Sequence, residues 1–301
     1  MELWIPITIA AAFMQNLRSA LQKHLQGSLG TRAASFVRFG YGFPVALLYV
    51  FLLHVFAGFA VPQLHAGFII WAIIGGLAQI FATIMLVYLF SLRNFAVGTA
   101  YSKTEPVQAA LFGLLLLGER ITPGAVAAII VGIVGVMMIS VARMPLSLKN
   151  LGSALVSRTA LIGIASGGIF GISAVAYRSA AISLDGPNPI MQAAVTLAFV
   201  TVFQTAFMLV WMFIKDKSEI VAVAKTWRTS ALVGLSGVLG SACWFTAMTL
   251  QQVAYVRALG QIELIFTFVS SVFFFRERIN RMETLGCLLI VSGILLLLMW
   301  H

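Results

Sequence analysis

Acidic residues are scarce in this chain: nine aspartates and glutamates stand among 301 residues, against nineteen lysines and arginines. Charged residues of both signs make up only 9% of the chain, whereas 61% of its residues are hydrophobic. Soluble domains are usually about 25% charged and about 45–50% apolar. The composition therefore excludes a soluble globular protein and predicts an integral membrane protein.

Patterns typical of metal, nucleotide or catalytic sites are also missing from the sequence. The two cysteines, Cys243 and Cys287, fall inside apolar segments, where cysteine usually packs as a small hydrophobic side chain. The four histidines lack metal-ligand spacing, and the sequence shows neither a phosphate-binding glycine loop nor a hydrolase arrangement. We therefore expect no cofactor, no bound metal, no ATP-driven pumping and no enzymatic activity.

Long apolar runs dominate what the sequence does contain. A helix needs about 20 apolar residues to cross a hydrocarbon core of about 30 Å, and helices are the natural solution for such a chain. Ten segments qualify, which predicts an all-α membrane protein with ten transmembrane helices. The segments are 4–21, 33–56, 67–90, 96–117, 123–141, 160–182, 188–214, 229–250, 253–275 and 282–300.

The chain contains an internal repeat. Glu105 lies 14 residues before Glu119-Arg120-Ile121, and Glu263 lies 14 residues before Glu277-Arg278-Ile279, which gives an offset of 158 throughout. Five spans in each half is an odd number, so the second half enters the membrane from the opposite side. We predict two inverted five-helix repeats, over residues 1–143 and 159–301, joined by a loop at 144–158.

The basic residues predict an orientation rather than a nucleic-acid partner. Although the formal net charge is +10, most lysines and arginines lie between the apolar segments. The odd-numbered connections hold 13 of them, while the even-numbered connections and the termini hold only Arg120. By the positive-inside rule the odd connections face the cytoplasm, which places both termini on the periplasmic side.

Two carboxylates lie deep inside the predicted helices. Counting 14 residues back from each Glu-Arg pair places Glu105 and Glu263 roughly 21 Å from the membrane face. A carboxylate at this depth is either a structural group with a neighbouring partner or a site for protons or substrate. Pro106 favours a site, because a proline frees a backbone carbonyl and interrupts the helix. Pro44 predicts a second flexible point, which would serve gating.

Helical spacing groups other polar residues with these carboxylates. Tyr101, Glu105 and Gln108 share one face of the fourth predicted helix. The basic or amide residues lie on a different face, with Lys103 in this helix and Arg257 and Gln261 in the ninth. The basic surplus favours an anionic or zwitterionic substrate, because a guanidinium binds carboxylates well. The predicted substrate-binding residues are Tyr101, Lys103, Gln108, Tyr177, Arg178, Trp244, Arg257 and Gln261, with Glu105 and Glu263 for proton coupling.

Arg18 and Arg38 flank the first connection, and we interpret them mostly as interface anchors. Gly163, Gly167 and Gly171 form a ridge of small residues that allows close helix contact. Packing within the chain is the favoured role of that ridge, although it would also suit a homodimer.

The sequence resembles one known family. Leu117-Gly118-Glu119-Arg120 after the fourth segment, its echo at Glu277-Arg278, and the ten short spans in two halves are similar to EamA-type members of the drug/metabolite transporter superfamily. The resemblance covers almost the whole chain. It implies a secondary transporter of a bacterial inner membrane, with a central cavity between two inverted repeats and small metabolites such as amino acids as substrates. Pro106 matches a proline that family members often carry in helix 4, whereas Leu264 departs from it in helix 9.

These observations predict a secondary active transporter that moves a small metabolite, an amino acid or organic-acid-like solute, by alternating access with proton coupling. Its expected partners are that small molecule, protons and the lipid bilayer. An uncoupled facilitator or channel is the main alternative, and it would show downhill flux indifferent to a proton gradient. A non-transporting scaffold is disfavoured, because charges are retained deep in the spans and no segment is long enough for a soluble domain.

Overall fold

The computed structural model describes residues 2–26, 28–91, 102–141, 158–186, 188–273 and 281–300. These residues form helices and short connections, with no strand among them. Their helices are α1 (Trp4–Gln26), α2 (Thr31–Gly40), α3 (Phe43–Ala57), α4 (Ala66–Ser91), α5 (Glu105–Leu117), α6 (Pro123–Val141), α7 (Arg158–Ser183), α8 (Pro189–Lys215), α9 (Ser218–Lys225), α10 (Trp227–Leu250), α11 (Val253–Leu259), α12 (Ile262–Phe273) and α13 (Arg281–Trp300).

The all-helical prediction is confirmed for the described residues, and helix occupies at least part of every predicted segment. Six helical stretches in this part of the chain are long and apolar enough to cross a membrane. Two further helices, 105–117 and 123–139, are apolar but shorter. The count of ten spanning helices stays a prediction.

The short helix α9 was not predicted. It follows Asp216, whose carboxylate accepts hydrogen bonds from the backbone and hydroxyl of Ser218 at 2.9 and 2.6 Å.

Apolar side chains cover much of the outer surface. On α3 only Ala46 is buried, while Leu47, Phe51, Val55 and Phe56 are exposed. Leaving such side chains in water would cost about 1.5–3 kcal/mol each. A continuous apolar surface of this kind fits a lipid environment, as expected for a membrane protein.

Three helix pairs make the most extensive contacts: α6 with α13, α4 with α7, and α1 with α10. In the repeat register, α4 corresponds to α10 and α1 to α7. Exchanging the two halves therefore turns the α1–α10 interface into the α7–α4 interface and leaves α6–α13 unchanged. The contacts thus have the pattern of two related halves packed against each other.

Glycines allow the closest of these approaches. A Cβ on Gly135 would lie 2.6 Å from the carbonyl oxygen of Gly286, so α6 and α13 touch backbone to backbone. The predicted glycine ridge on α7 packs within the chain: a Cβ on Gly167 would lie 2.7 Å from the Ser102 carbonyl oxygen, and one on Gly171 would lie 3.2 Å from the Ala109 nitrogen. The ridge is therefore occupied by the segment that begins α5.

Helix interruptions occur at equivalent places in the two halves. Before α5, Lys103 and Thr104 form a turn, and Pro106 is the second residue of the helix. In the second half the break lies at Gly260 and Gln261, between α11 and α12. Pro106 therefore sits at the beginning of a helix, where the missing N–H costs little, rather than in the middle of one.

The second-half break arises without a proline. A Cβ on Gly260 would lie 2.5 Å from the Trp244 ring, so only glycine lets this aromatic side chain pack against the break. A third interruption, at Tyr41 and Gly42, separates α2 from α3 just before Pro44. The flexibility expected near Pro44 and its role in gating stay predictions.

Some predicted features lie outside the described residues. They are Tyr101, Glu277-Arg278-Ile279 and residues 144–157 of the predicted connecting loop. Arg158 was predicted to end that loop, but it is the first residue of α7. Apolar residues follow it immediately, which lets the helix begin there.

Candidate functional site: a charged cavity between the two halves

A cavity of about 310 Å³ lies between helices of the two halves. This volume is at the lower end of the range for small-molecule sites, about 300–1,000 Å³. Its described lining combines charged and amide side chains with an aromatic wall. The lining residues that matter for the chemistry are Gln15, Arg18, Arg38, Gln79, Lys103, Glu105, Tyr177, Ser241, Trp244, Phe245, Arg257 and Glu263.

Two ion pairs cross the boundary between the halves. Nζ of Lys103 lies 3.1 Å from Oε1 of Glu263, and Nε of Arg257 lies 3.1 Å from Oε1 of Glu105. Each carboxylate is thus paired with a cation supplied by the other half. All four side chains are largely enclosed, with exposed fractions between 11 and 22%. Because buried charges are costly unless paired, these contacts hold the carboxylates at the interface.

Helix ends add to the stabilisation of both carboxylates. Glu105 is the first residue of α5, and Glu263 is the second residue of α12. The N-terminus of a helix carries a partial positive charge that favours an anion within the first turn. The helix interruptions in the two halves therefore create two equivalent positions for a carboxylate.

The two carboxylates differ in their hydrogen bonds. Glu263 accepts from Lys103 at 3.1 Å and from the Gln15 amide at 2.7 Å, and the Trp244 indole N–H donates to Gln15 at 3.1 Å. Asn16 also donates to the backbone carbonyl of Glu263 at 3.2 Å. Glu263 is therefore fixed by a network that reaches from α1 to α10.

Glu105 has a poorer environment. Its Oε1 is buried and has no hydrogen bond within the described residues, although it lies 3.1 Å from Nε of Arg257. The Arg257 guanidinium instead lies over the Trp244 ring, 4.6 Å from its centroid, in a cation–π contact. Of the two carboxylates, Glu105 thus has the less complete stabilisation as an anion.

Arg18 and Arg38 also line the cavity, so their interpretation as interface anchors is wrong. Arg18 is only 7% exposed, and Arg38 approaches the Gln79 amide and the Ser241 hydroxyl. A polar stripe on α1 could have revealed this, because Gln15, Arg18 and Gln22 recur at helical spacing of three and four residues. The sequence reasoning also missed Gln15 and Gln79.

The other predicted site residues divide into two groups. Tyr177 and Trp244 form part of the cavity wall, together with Phe245, whose ring centroid is 4.4 Å from that of Tyr177. Gln108 is turned away and donates to the Thr104 hydroxyl at 2.8 Å. Gln261 is buried against α6, where a Cβ on Gly132 would lie 2.5 Å from its amide oxygen.

Arg178 also lies outside the described cavity lining. Its Nε is 2.6 Å from Oε1 of Glu119, and its Nη1 donates to the carbonyls of Met248, Thr249 and Gln251 at the end of α10. We call this arrangement the Arg178 clamp. It joins the two halves where α5, α7 and α10 end. Nε and Nη1 of the guanidinium are both engaged there, which suits a structural contact better than substrate recognition.

In the described residues, no group of three His, Cys, Asp or Glu side chains is placed to hold a metal ion. The cavity instead offers charged side chains, amides and aromatic rings to a small polar solute. An all-helical protein with an apolar exterior and such a cavity belongs to the class of multi-pass membrane proteins that handle small molecules.

Comparison with known proteins defines the family. The model of the EamA-like transporter family matches residues 2–141 and again residues 157–299. The chain therefore belongs to the EamA-like transporter family, whose members are transporters rather than enzymes, and it has the two-repeat architecture of that family.

One solved structure, described only as a crystal structure of a protein, is similar with a TM-score of 0.71 at 19% sequence identity. The match covers 99% of this chain and 97% of the other. At this identity the likeness supports the fold alone. No curated protein matches the chain.

Proposed function

We propose that this protein is a secondary active transporter that moves a small organic acid or amino acid by alternating access, coupled to protons. The observation that carries the proposal is the pair of crossed ion pairs, Lys103–Glu263 and Glu105–Arg257, in a cavity between the halves. Charges in such a position are costly to maintain in a membrane and are typical of solute or proton pathways.

Proton coupling follows from the Glu105–Arg257 pair. Protonation of Glu105 would cancel its charge and release the Arg257 guanidinium, which could then bind a substrate carboxylate bidentately. Conversely, a substrate anion on Arg257 would leave Glu105 without its counter-ion and favour its protonation. Proton and substrate would therefore bind together, which is the requirement for symport.

Alternating access follows from the two-repeat architecture. We infer ten transmembrane helices in two inverted repeats, with boundaries near residues 143 and 159, in a bacterial inner membrane. From the loop charges we infer that the termini and the Arg178 clamp lie on the periplasmic side. In this arrangement the clamp would close the cavity on that side and would break when the halves rock.

The proposal is tested by uptake into proteoliposomes with an imposed pH gradient, using a set of radiolabelled amino acids and organic acids. For any solute that is taken up, Glu105→Gln should abolish accumulation driven by the gradient and preserve exchange of internal for external solute. Glu219→Gln is the matched control, because Glu219 pairs with Arg32 outside the cavity.

Two outcomes would contradict the proposal. Gradient-driven uptake that is unchanged in Glu105→Gln would remove this carboxylate from coupling. Wild-type flux that is strictly downhill and indifferent to the pH gradient would identify an uncoupled facilitator instead.

A further inference from the structure

We propose that Arg18 and Arg38 together bind an anionic group of the transported solute, and that this solute carries two negative charges. The inference rests on the proposed transport function and names the substrate class of the same cavity. Neither arginine belongs to the crossed ion pairs, so both are available for a ligand before Glu105 is protonated and Arg257 is released.

The two arginines converge on one small residue. A Cβ on Gly237 of α10 would lie 3.3 Å from Cγ of Arg38 and 3.4 Å from Cδ of Arg18. Arg18 comes from α1 and Arg38 from α2, so side chains of two helices pass over the same glycine into the cavity. This convergence brings two like charges together, which is unfavourable unless an anion lies between them.

Arg38 is held by neutral groups. With the Gln79 amide oriented to satisfy both of its neighbours, its oxygen accepts from Nη1 and Nη2 of Arg38 at 3.0 and 3.2 Å, and its nitrogen donates to Ser173 at 2.8 Å. Nη2 also donates to the Ser241 hydroxyl at 3.4 Å, and the guanidinium lies over the Phe39 ring, 5.4 Å from its centroid. These dipoles orient the guanidinium but leave its charge uncompensated.

Arg18 is in a similar position. Its Nε is buried without a hydrogen bond in the described part of the chain. Glu263 is the carboxylate that acts on it electrostatically, but Glu263 is already bound by Lys103 and Gln15. Within the described residues, neither Arg18 nor Arg38 forms an ion pair with a carboxylate.

Counting the charged side chains in the described lining indicates the charge of the ligand that would bind Arg18 and Arg38. With both carboxylates ionised, four cationic side chains, Arg18, Arg38, Lys103 and Arg257, face Glu105 and Glu263, which leaves a surplus of two positive charges before a proton is taken up. An uncompensated buried charge is strongly destabilising. A dianion would neutralise the surplus, whereas a monoanion would leave one charge and a cation would increase it.

Guanidinium groups match both carboxylate and phosphate oxygens, so a dicarboxylate and a phosphate monoester are the two sources of such a ligand. The volume of about 310 Å³ limits the ligand to a small one. The Tyr177 and Phe245 rings at the same wall would pack against its carbon skeleton.

The test measures binding to the purified full-length protein in detergent by isothermal titration calorimetry, without a membrane gradient. The probes are succinate, glycerol phosphate and inorganic phosphate as dianions, with butyrate as the monoanion of matched length and 1,4-diaminobutane as the dication. We expect at least one dianion to bind at least tenfold more tightly than butyrate, and the dication not to bind. Arg18→Gln and Arg38→Gln should each weaken dianion binding by about ten- to a hundredfold, since each removes charge-assisted hydrogen bonds.

Two further variants separate ligand binding from folding. Arg38→Lys keeps the charge but loses the bidentate geometry, so it should restore part of the affinity lost in Arg38→Gln. Arg228→Gln, an equivalent change beside Trp227 and away from the cavity, should bind as the wild type does. Melting temperature and gel-filtration profile show whether each variant is folded.

The inference is overturned if butyrate binds as tightly as succinate and the phosphates, if no dianion binds to the folded protein, or if folded Arg18→Gln and Arg38→Gln bind dianions as the wild type does. Those results would leave the transport proposal intact, because uptake of another solute could still be gradient-driven. Dianion binding without any uptake would instead refute transport and retain the subsite.

Discussion

Oε1 of Glu105 lies 3.1 Å from Nε of Arg257 across the boundary between the two halves, yet neither atom has a hydrogen bond within the described residues. The contact is held by charge rather than by directional bonding. Such a pair can exchange partners with little loss of geometry, which is useful if a substrate anion has to replace Glu105 on Arg257.

The first prediction concerns this pair. Arg257→Gln removes the cation and leaves Glu105 uncompensated, so the variant should lose transport and about 3–5 kcal/mol of stability. The double variant Glu105→Gln with Arg257→Gln should recover most of the stability, because neither member of the pair is then an unpaired charge, but it should not recover transport. Thermal unfolding in detergent and proteoliposome uptake measure the two effects. A double variant as unstable as Arg257→Gln would show that packing of the guanidinium on Trp244, rather than charge, dominates.

The second prediction contrasts the other pair. Lys103→Gln also removes a cation, but Glu263 keeps its hydrogen bond from Gln15. We therefore expect a smaller loss of stability than for Arg257→Gln, of about 1.5–3 kcal/mol. Adding Gln15→Leu should increase the loss beyond the sum of the two single effects, since both groups stabilise one carboxylate. Strict additivity in a double-mutant cycle would argue against the network.

The third prediction addresses the Arg178 clamp. Arg178→Ala removes the pair with Glu119 and the bonds to the carbonyls at the end of α10, so it should favour opening of the cavity on that side. The measurement uses Ser241→Cys as a reporter in the cavity, with Cys243 and Cys287 replaced by serine. A membrane-impermeant maleimide should label the reporter faster from the clamp side in Arg178→Ala than in the parent.

Glu119→Gln should increase the labelling in the same direction, because it weakens the same contact. Arg32→Gln, which breaks the ion pair with Glu219 elsewhere in the protein, is the control. Equal labelling in the parent and both clamp variants would mean that the contact stabilises the fold without controlling access.

The fourth prediction tests the α6–α13 interface. Gly135→Ala would place a Cβ 2.6 Å from the Gly286 carbonyl oxygen, and backbone on both sides limits relaxation. We expect a loss of roughly 1–3 kcal/mol, seen as a lower melting temperature in detergent. Gly67→Ala is the matched control, since its Cβ would meet only the His65 side chain at 3.3 Å. Equal melting temperatures of the two variants would contradict tight packing.

The fifth prediction is the orientation. The loop charges predict a periplasmic C-terminus, so alkaline phosphatase fused after His301 should be active, because it folds only outside the cytoplasm. A green fluorescent protein fused at the same position should stay dark when exported unfolded. The reverse pattern would place both termini in the cytoplasm.

Much of the fold could be predicted from apolar run length. The segment 123–141 coincides with α6, and most other boundaries lie within a few residues of the predicted ones. The break at Gly260 and Gln261 could not be predicted in this way, because no proline marks it. It depends on the packing of Trp244 against Gly260, which is a tertiary contact.

The candidate site was predictable only in part. Depth and repeat symmetry identified Glu105 and Glu263, and proximity along the chain suggested Lys103. Pairing partners could not be obtained from the sequence, because Lys103 and Glu263 are 160 residues apart. Arg18 and Arg38 were misinterpreted for a different reason. They were judged by their positions beside the first connection and not by the polar stripe that Arg18 shares with Gln15 and Gln22 on α1.

The crossed pairs also bear on how the protein is assembled. Each half contributes one acid and one base to the two crossed pairs, and the base of each half neutralises the acid of the other. A half produced alone would therefore hold an uncompensated carboxylate at its exposed face, whereas two halves encoded by separate genes would have an electrostatic reason to find each other. Cutting the gene between residues 141 and 158 and co-expressing the pieces would be expected to yield a working complex, with neither fragment accumulating by itself.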